Sequence, residues 1–389
     1  MNKVKLLAIS LTLVTSLSAQ VRNADFKIHD RGELWETMKD NGTIGAPNPT
    51  NRFENYPSMD WPGGPNAMNK DDQRSYSAGS GMWIGGKRND GSIFFTENGP
   101  FNFVDNGTFE PIVRTDNFLE SPSYNPAEAE QIITAKWKTS ENISVERNSH
   151  VWSFPLLNNF VICEYIITNQ NTTPVTDVYV GFPNLIRPSY QDFVVHNGWG
   201  DDFNRTDEFV AYDSTRSMMY SWDDTPNFSI PNDIGNFWEA AGELRTTGYA
   251  GLSFLYADPA SDSRPQPSNV FWAQLLNNES FFTIQSSNAQ SLYNILNGTD
   301  KTLQANAGDH LTPFMLLSAG PYSLAPGASI KIVTAEAVNG IPLEKALLGL
   351  SSQALLPFGL DSLNKSIDRA KNLYLNNYQV SAVPPPSPE

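Results

Sequence analysis

The chain has 389 residues, with 26 Lys and Arg against 42 Asp and Glu, for a formal net charge of −16. That acidity repels phosphate backbones and anionic lipid, and no local basic patch offsets it, which excludes nucleic acid as a partner. Charged residues make up only 17% and aromatics 12%, so a strand-and-turn protein with an aromatic core is expected rather than a long-helix protein.

The first nineteen residues read as a secretory leader. Met1-Asn2-Lys3-Val4-Lys5 is basic, Leu6 to Leu17 is mostly apolar, and Ser16-Leu17-Ser18-Ala19 supplies small residues for cleavage after Ala19. The apolar run is shorter than the roughly 20 residues a permanent span needs. The mature chain is therefore expected to be secreted or at the cell surface, with no membrane span. Losing Lys3 and Lys5 with the leader takes its charge from −16 to −18. Cys163 is the single cysteine, so no internal disulfide forms and the core alone must hold the fold. Within Phe160-Val161-Ile162-Cys163-Glu164 it sits at an inward strand position, the setting of an inert buried thiol.

Residues 20–80 form an extended, wrapping N-terminal segment. Short strands are expected at Phe26–His29 and Gly32–Thr37, followed by turn chemistry at Asn41–Gly45. The stretch 46–81 is dense in Pro, Gly, Asn and Asp, with Phe53, Tyr56 and Trp61 to pin it to a neighbouring surface.

A β-sandwich module is expected over 81–340. Gly81–Gly86 and Ser92–Thr96 flank Asn89-Asp90-Gly91, a hairpin signature. Ile132–Trp137 reads as a strand. In Ile143–Trp152, alternation places Ile143, Val145, Arg147, Ser149 and Val151 on one face, and so mixed a face implies a groove or a partly covered sheet. Asn159–Asn169 and Val175–Phe182, around a polar turn, read as a long hairpin. Further strands fall at Glu208–Tyr212, Met218–Trp222, Tyr249–Leu255, Pro313–Ser318 and Ser329–Val338, with Gly320–Gly327 as a turn-rich link. Helix is expected late, over 341–379: Pro342–Leu350, then Asp361–Tyr378 with Leu363, Ile367, Ala370, Leu373 and Tyr374 at helical spacing. Residues 380–389, ending Val383-Pro384-Pro385-Pro386-Ser387-Pro388-Glu389, have linker composition. The fold class is mainly β: a large antiparallel β-sandwich with long loops and a C-terminal helix.

Several of these segments resemble the N-terminal β-rich module of large secreted proteins of the Bacteroidota type. They are Met59-Asp60-Trp61-Pro62-Gly63-Gly64, Gly81-Met82-Trp83-Ile84-Gly85-Gly86, Val178–Phe182 and the Gly320–Gly327 link leading into Ala335–Gly340. The resemblance spans most of residues 25 to 340. It implies a modular protein in which fibronectin type III-like repeats and a C-terminal sorting domain follow such a module. In many relatives an acidic pair follows the strand matching Val178–Phe182. Here Pro183-Asn184-Leu185-Ile186 stands in its place.

No strong catalytic signature is present: there is no HExxH, no GxSxG elbow and no phosphate-binding glycine loop. His29, His150, His196 and His310 are scattered, none paired at ligand spacing. The most acidic window, Gln191 to Asp233, includes Asp201, Asp202 and Asp207 around Gly198-Trp199-Gly200. Those carboxylates are the candidate ligands for a structural Ca2+ ion, without matching an EF-hand. Trp199, Trp222 and Trp238 are the candidate platforms for stacking a sugar, and packing in the core is the competing role for each. The function read from this is a non-catalytic structural or adhesion module of a longer surface protein, with an extracellular glycan or surface protein as partner. The alternative is a carbohydrate-binding or glycoside-hydrolase-like module, which needs only two suitably spaced carboxyls. The non-catalytic part of a secreted peptidase is a third reading.

Overall fold

The computed structural model describes residues 24–45, 57–63, 75–100, 104–186, 188, 208–222, 248–274, 288–309, 313–346, 348 and 352–380. Of the described residues, strands account for 48% and helices for 12%, so the fold is mainly β as the composition predicts. Seventeen strands are described. β1 (Phe26–His29) and β2 (Glu36–Lys39) form a hairpin of their own. Next come β3 (Ser77–Ser80), β4 (Met82–Lys87), β5 (Ile93–Asn98), β6 (Thr108–Phe109), β7 (Val113–Asp116), β8 (Gln131–Lys138), β9 (Ile143–Val151), β10 (Phe160–Asn169) and β11 (Val175–Ile186). The later strands are β12 (Phe209–Asp213), β13 (Met218–Trp222), β14 (Gly248–Ala257), β15 (Asn269–Gln274), β16 (Pro313–Leu324) and β17 (Ser329–Gly340). Helices α1 (Ala289–Leu296), α2 (Leu343–Ala346) and α3 (Ser352–Leu375) complete the described elements.

Two antiparallel sheets face each other. The larger runs β12-β13-β14-β17-β10-β9-β8-β6, with β7 also on β8; the smaller runs β15-β16-β11-β4-β5, with β3 on β11. Their inner faces meet in one core that includes Val145, Val161, Val180 and Leu317. α3 covers the outer face of the larger sheet through Leu355, Leu363, Ile367 and Ala370. The much shorter α1 covers the outer face of the smaller through Leu292, Tyr293 and Leu296. The expected C-terminal helix is present but begins at Ser352, nine residues before Asp361, and it accommodates Pro357. Gly359 explains the tight seat of α3, because a Cβ there would fall 1.9 Å from the Tyr249 ring. α1 and β15 went unanticipated; β15 is an edge strand with only three buried residues.

The segment expected as a long hairpin divides differently. β10 pairs with β9 and β17, whereas β11 pairs with β16, β4 and β3, so residues 170–174 cross from one sheet to the other. β16 and β17 make the same crossing over Ala325–Ala328. Asn169, fully buried, ties the two arches: its side-chain amide donates to Thr173 O (3.0 Å) and Leu324 O (2.9 Å), and its backbone exchanges bonds with Gly327 and Ala328. Both runs are apolar on alternating residues, and periodicity alone does not distinguish pairing beside a neighbour from packing across it. Most of the supposed Gly320–Gly327 link is strand, since β16 continues to Leu324.

The N-terminal hairpin enters the sandwich core. Leu34, Met38, Ile44, Met59 and Trp61 are buried in the same cluster as the inward residues of both sheets. The mixed face of β9 is therefore sealed: Ile143, Val145, Arg147, Ser149 and Val151 are at most 2% exposed. The chain's own first strands cover what alternation left looking like a groove. Arg147 faces the turn after β2, donating to Lys39 O (2.8 Å), Gly42 O (3.2 Å) and Thr43 O (3.4 Å). Gly42 sits at φ +88° with the Trp137 ring 2.8 Å from where a Cβ would lie, so only glycine lets this turn close. Truncating a buried cation that satisfies three carbonyls should cost about 3 kcal/mol. Arg147→Ala is accordingly expected to lower the urea midpoint strongly without altering the far-ultraviolet circular dichroism of the folded protein.

Candidate functional site

The alternation that points Arg147 and Ser149 inward on β9 points His150 outward, and Trp152 just beyond the strand joins the same outer cluster. β10 sets Glu164 on that outer face, β17 adds Lys331 and β14 adds Tyr256. Tyr374 in the last turn of α3, and Tyr378 just past its end where the chain turns back, lie over them. Tyr378 stacks on His150 with ring centroids 4.6 Å apart and planes inclined by 18°. It lies 5.8 Å from Trp152 and 6.1 Å from Tyr374, which in turn is 6.1 Å from Tyr256. The result is a row of rings running from β9 across β10 and β17 to β14, completed by α3 and the tail.

Charges are interleaved with the rings. Lys331 Nζ is 2.6 Å from Glu164 Oε2, and the Tyr378 hydroxyl donates to Glu164 Oε1. The Lys331 ammonium also lies 5.2 Å over the Tyr374 ring, a cation–π distance. The Tyr256 hydroxyl donates to Asp258 Oδ1 (2.5 Å), while Asp258 Oδ2 accepts from the Lys331 backbone N–H (2.7 Å). Burial opposes ionisation of Glu164, yet the Lys331 ammonium and the Tyr378 hydroxyl hold its carboxyl below the usual range. Burial pushes His150 down to about 4, so the imidazole is neutral at physiological pH. Tyr256 is 39% exposed and the Lys331 side chain 33%, so this row meets solvent. Its chemistry is that of a contact surface: ring faces for stacking, with a carboxylate and an ammonium to receive polar groups.

Two other titratable groupings are sealed inside. His29 Nε2 lies 2.8 Å from Ser149 Oγ and His29 Nδ1 3.4 Å from Gln131 Oε1. A hydroxyl beside an imidazole is a nucleophile–base geometry, but neither residue is exposed at all. Burial pushes His29 down to about 3 and keeps it neutral. The pair fastens β1 to β8 and β9. The second grouping is Glu36, Asp60 and Glu336, each at most 3% exposed. Glu36 accepts from Met59 N (2.7 Å) and Thr37 N (3.2 Å). Asp60 accepts from Ser58 N (2.8 Å) and Ser75 Oγ (2.5 Å), and Glu336 from Ser80 Oγ (3.1 Å) and Asn184 Nδ2 (3.0 Å). Glu336 Oε2 and Asp60 Oδ2 have no hydrogen-bond partner among the described residues. Burial pushes Asp60 and Glu336 each up to about 7, and burial with the neighbouring Glu336 pushes Glu36 well up.

Of the residues singled out in the sequence, Trp222 is only 8% exposed. It stacks on Phe209 at 5.3 Å and on Tyr220 at 5.4 Å, beneath the helical layer. Its faces are taken up by packing, the competing role weighed for it above. Trp199, Trp238, Asp201, Asp202 and Asp207 lie outside the described residues, as do His196 and His310. Among the described residues no group of three or more His, Cys, Asp or Glu side chains is placed to hold a metal ion. Cys163 is 1% exposed, and burial pushes its thiol up to about 12. No described helix is long and apolar enough to cross a membrane. His150, Tyr374 and Tyr378 were not nominated as a group. The usable signal was the alternation of β9, which places His150 opposite Arg147.

No family model matches the chain, and no curated protein matches it in sequence. Among solved structures it is similar to an Escherichia coli K12 protein assigned as an aldose 1-epimerase. That likeness is at 8% identity with a TM-score of 0.34, over 82% of this chain and all of that one. It is also similar to a polysaccharide lyase, at 11% identity with a TM-score of 0.30, over 84% of this chain but only 34% of the lyase.

Because folding raises the affinity of the interior carboxyls for protons, they bind more protons folded than unfolded between about pH 4 and about pH 7. Their contribution to stability is therefore full at the acid end of that window, falls as pH rises through it, and is level above it. His29 and His150 act oppositely, since their neutral folded forms lose stability as pH falls below 6.5. Asp60→Asn and Glu336→Gln keep the observed acceptor atoms and remove the titration. Each is expected to stabilise the protein at pH 8 relative to pH 5.5 by roughly 2 kcal/mol more than wild type, read from urea unfolding at the two pH values. An unchanged difference between the two pH values would show that these carboxyls titrate normally.

Proposed function

We propose that the chain is a non-enzymatic β-sandwich module of a longer exported protein, and that it serves structural display or adhesion at the cell surface. The observation that carries this reading is how its polar side chains are distributed. Two groupings with catalytic residue types, His29–Ser149 and Glu36–Asp60–Glu336, are spent on fastening the N-terminal hairpin into the core. The aromatic and charged row on the outer sheet face instead meets solvent at Tyr256 and Lys331. Export rests on the leader-like residues 1–19, and the modular setting on the resemblance of residues 25–340 to the β-rich module of large secreted proteins.

Beads carrying the purified protein are expected to adhere to isolated bacterial envelopes or extracellular polysaccharide. The paired change Tyr256→Ala with Tyr374→Ala should reduce that adhesion at least tenfold. Tyr256 is partly exposed and Tyr374 half-buried, so the melting temperature should move by only a few degrees. Adhesion unaffected by the pair would remove this face from the function. New reducing ends or unsaturated products released from a polysaccharide by the wild-type protein would overturn the non-enzymatic reading.

A further inference from the structure

Tyr378 sits in the outer-face row as a ligand would sit in a site. One face of its ring stacks on His150, Trp152 flanks it, and its hydroxyl donates to a carboxylate that Lys331 holds in place. The chain reaches this position through two consecutive non-glycine residues in the left-handed region, Asn377 at φ +51° and Tyr378 at φ +63°. Asparagine tolerates that conformation at the end of a helix, and the Tyr378 N–H closes α3 by donating to Leu373 O at 2.8 Å. For an aromatic residue it is strained, and the ring's contacts with His150 and Glu164 offset that strain while the N–H groups of Asn377 and Tyr378 close the helix end.

The ring also leaves the pocket incompletely satisfied. His150 is 8% exposed and Trp152 fully buried, yet neither nitrogen of His150 nor the Trp152 indole N–H has a hydrogen-bond partner among the described residues. A phenol brings one hydroxyl, which Glu164 takes. Buried donors and acceptors left over are costly, and a ring carrying several hydroxyls answers more of them. A pyranose has the required shape. Its C–H face stacks on an aromatic plane as the Tyr378 ring stacks on His150, and its hydroxyls suit the Glu164 carboxylate that the Tyr378 hydroxyl now meets and the Lys331 ammonium beside it.

We propose that the pocket formed by His150, Trp152, Glu164 and Lys331 is a binding subsite for a pyranose ring, and that Tyr378 is an intramolecular stand-in which the sugar displaces. This rests on the outer face being the contact surface. Binding there means swinging out the tail Asn376–Val380 while α3 stays docked through Leu363 and Ile367. Displacement lowers the apparent affinity of the wild-type protein by the share of molecules whose tail is out.

The test uses methyl α-glucopyranoside, methyl α-mannopyranoside and methyl β-galactopyranoside singly at millimolar concentration, the range expected for single sugars. Tyr378→Ala is expected to bind at least one of them at least tenfold more tightly than wild type by calorimetry. Adding Glu164→Gln should lose that gain. In the wild-type protein, the sugar that binds should speed hydrogen exchange of residues 376–380 at least threefold and leave β10 and β17 unchanged. The proposal is overturned if a Tyr378→Ala protein that melts as wild type does binds none of the three. It is equally overturned if that variant binds phenol but no pyranoside, because the pocket would then be only the seat of its own tyrosine. Absence of any tail response in wild type at saturating sugar would overturn the displacement. Adhesion that depends on Tyr256 and Tyr374 but ignores all three glycosides would sink the pyranose subsite and leave the adhesive face standing.

Discussion

The fold depends on a guanidinium closing a hairpin into the gap between two unequal sheets. Nine strands face six, so the inner face around β8 and β9 extends beyond what the smaller sheet covers. The segment 26–44 that holds β1 and β2, together with the strap 57–63, fills that space with Leu34, Met38, Ile44, Met59 and Trp61. A hairpin end is rich in carbonyls that cannot be buried unpaired. Arg147 supplies donors to three of them from the floor of the groove. The residue that made the β9 face look like an open polar groove is the one that allows the groove to be closed.

That closure accounts for the odd chemistry of the interior. A segment crossing the middle of a sandwich must bring its polar backbone with it, and serine, asparagine and carboxylate side chains converge to satisfy it. Glu36 caps the N–H groups of Thr37 and Met59, and Asp60 those of Ser58 and the hydroxyl of Ser75. No ion pair reaches these carboxyls among the described residues, and the nearby cation, Arg147, is committed to carbonyls. Retaining protons is the cheaper solution in so dry a setting. The raised affinities are thus a consequence of threading the N-terminus through the core, and perturbed carboxyls here do not by themselves mark a reaction centre.

The architecture was legible in the sequence where the pattern was local. Alternation in Ile143–Trp152, the Asn89-Asp90-Gly91 turn and the spacing of Leu363, Ile367 and Ala370 each gave the element observed. What stayed hidden was the partner of each strand. Asn159–Asn169 and Val175–Phe182 look like a hairpin because four polar residues and a proline separate two apolar runs. The strand pairings show that the chain arches between sheets instead, with Asn169 tying the arch to Leu324 and Ala328. For the same reason, Trp222 could not be told from an exposed platform: a tryptophan on an outer sheet face is buried or bare according to what packs on it, here Phe209 and Tyr220.

The outer-face row illustrates the same limit for function. Its members come from β9, β10, β14, β17 and the tail of α3, separated by up to 228 residues from His150 to Tyr378, and no motif spans such an interval. The row exists because α3, having buried Leu363, Ile367, Ala370 and Leu373, stops at Leu375 with part of the sheet still uncovered. A bare strip of sheet must then be covered by side chains that tolerate both packing and water, which tyrosine, histidine and lysine do through apolar bodies and polar tips. Tyr378 covers the strip at the expense of a strained backbone. The termination of one helix thus leaves an exposed row of rings and charges, and supplies in Tyr378 the ring that packs over part of it while its N–H closes α3.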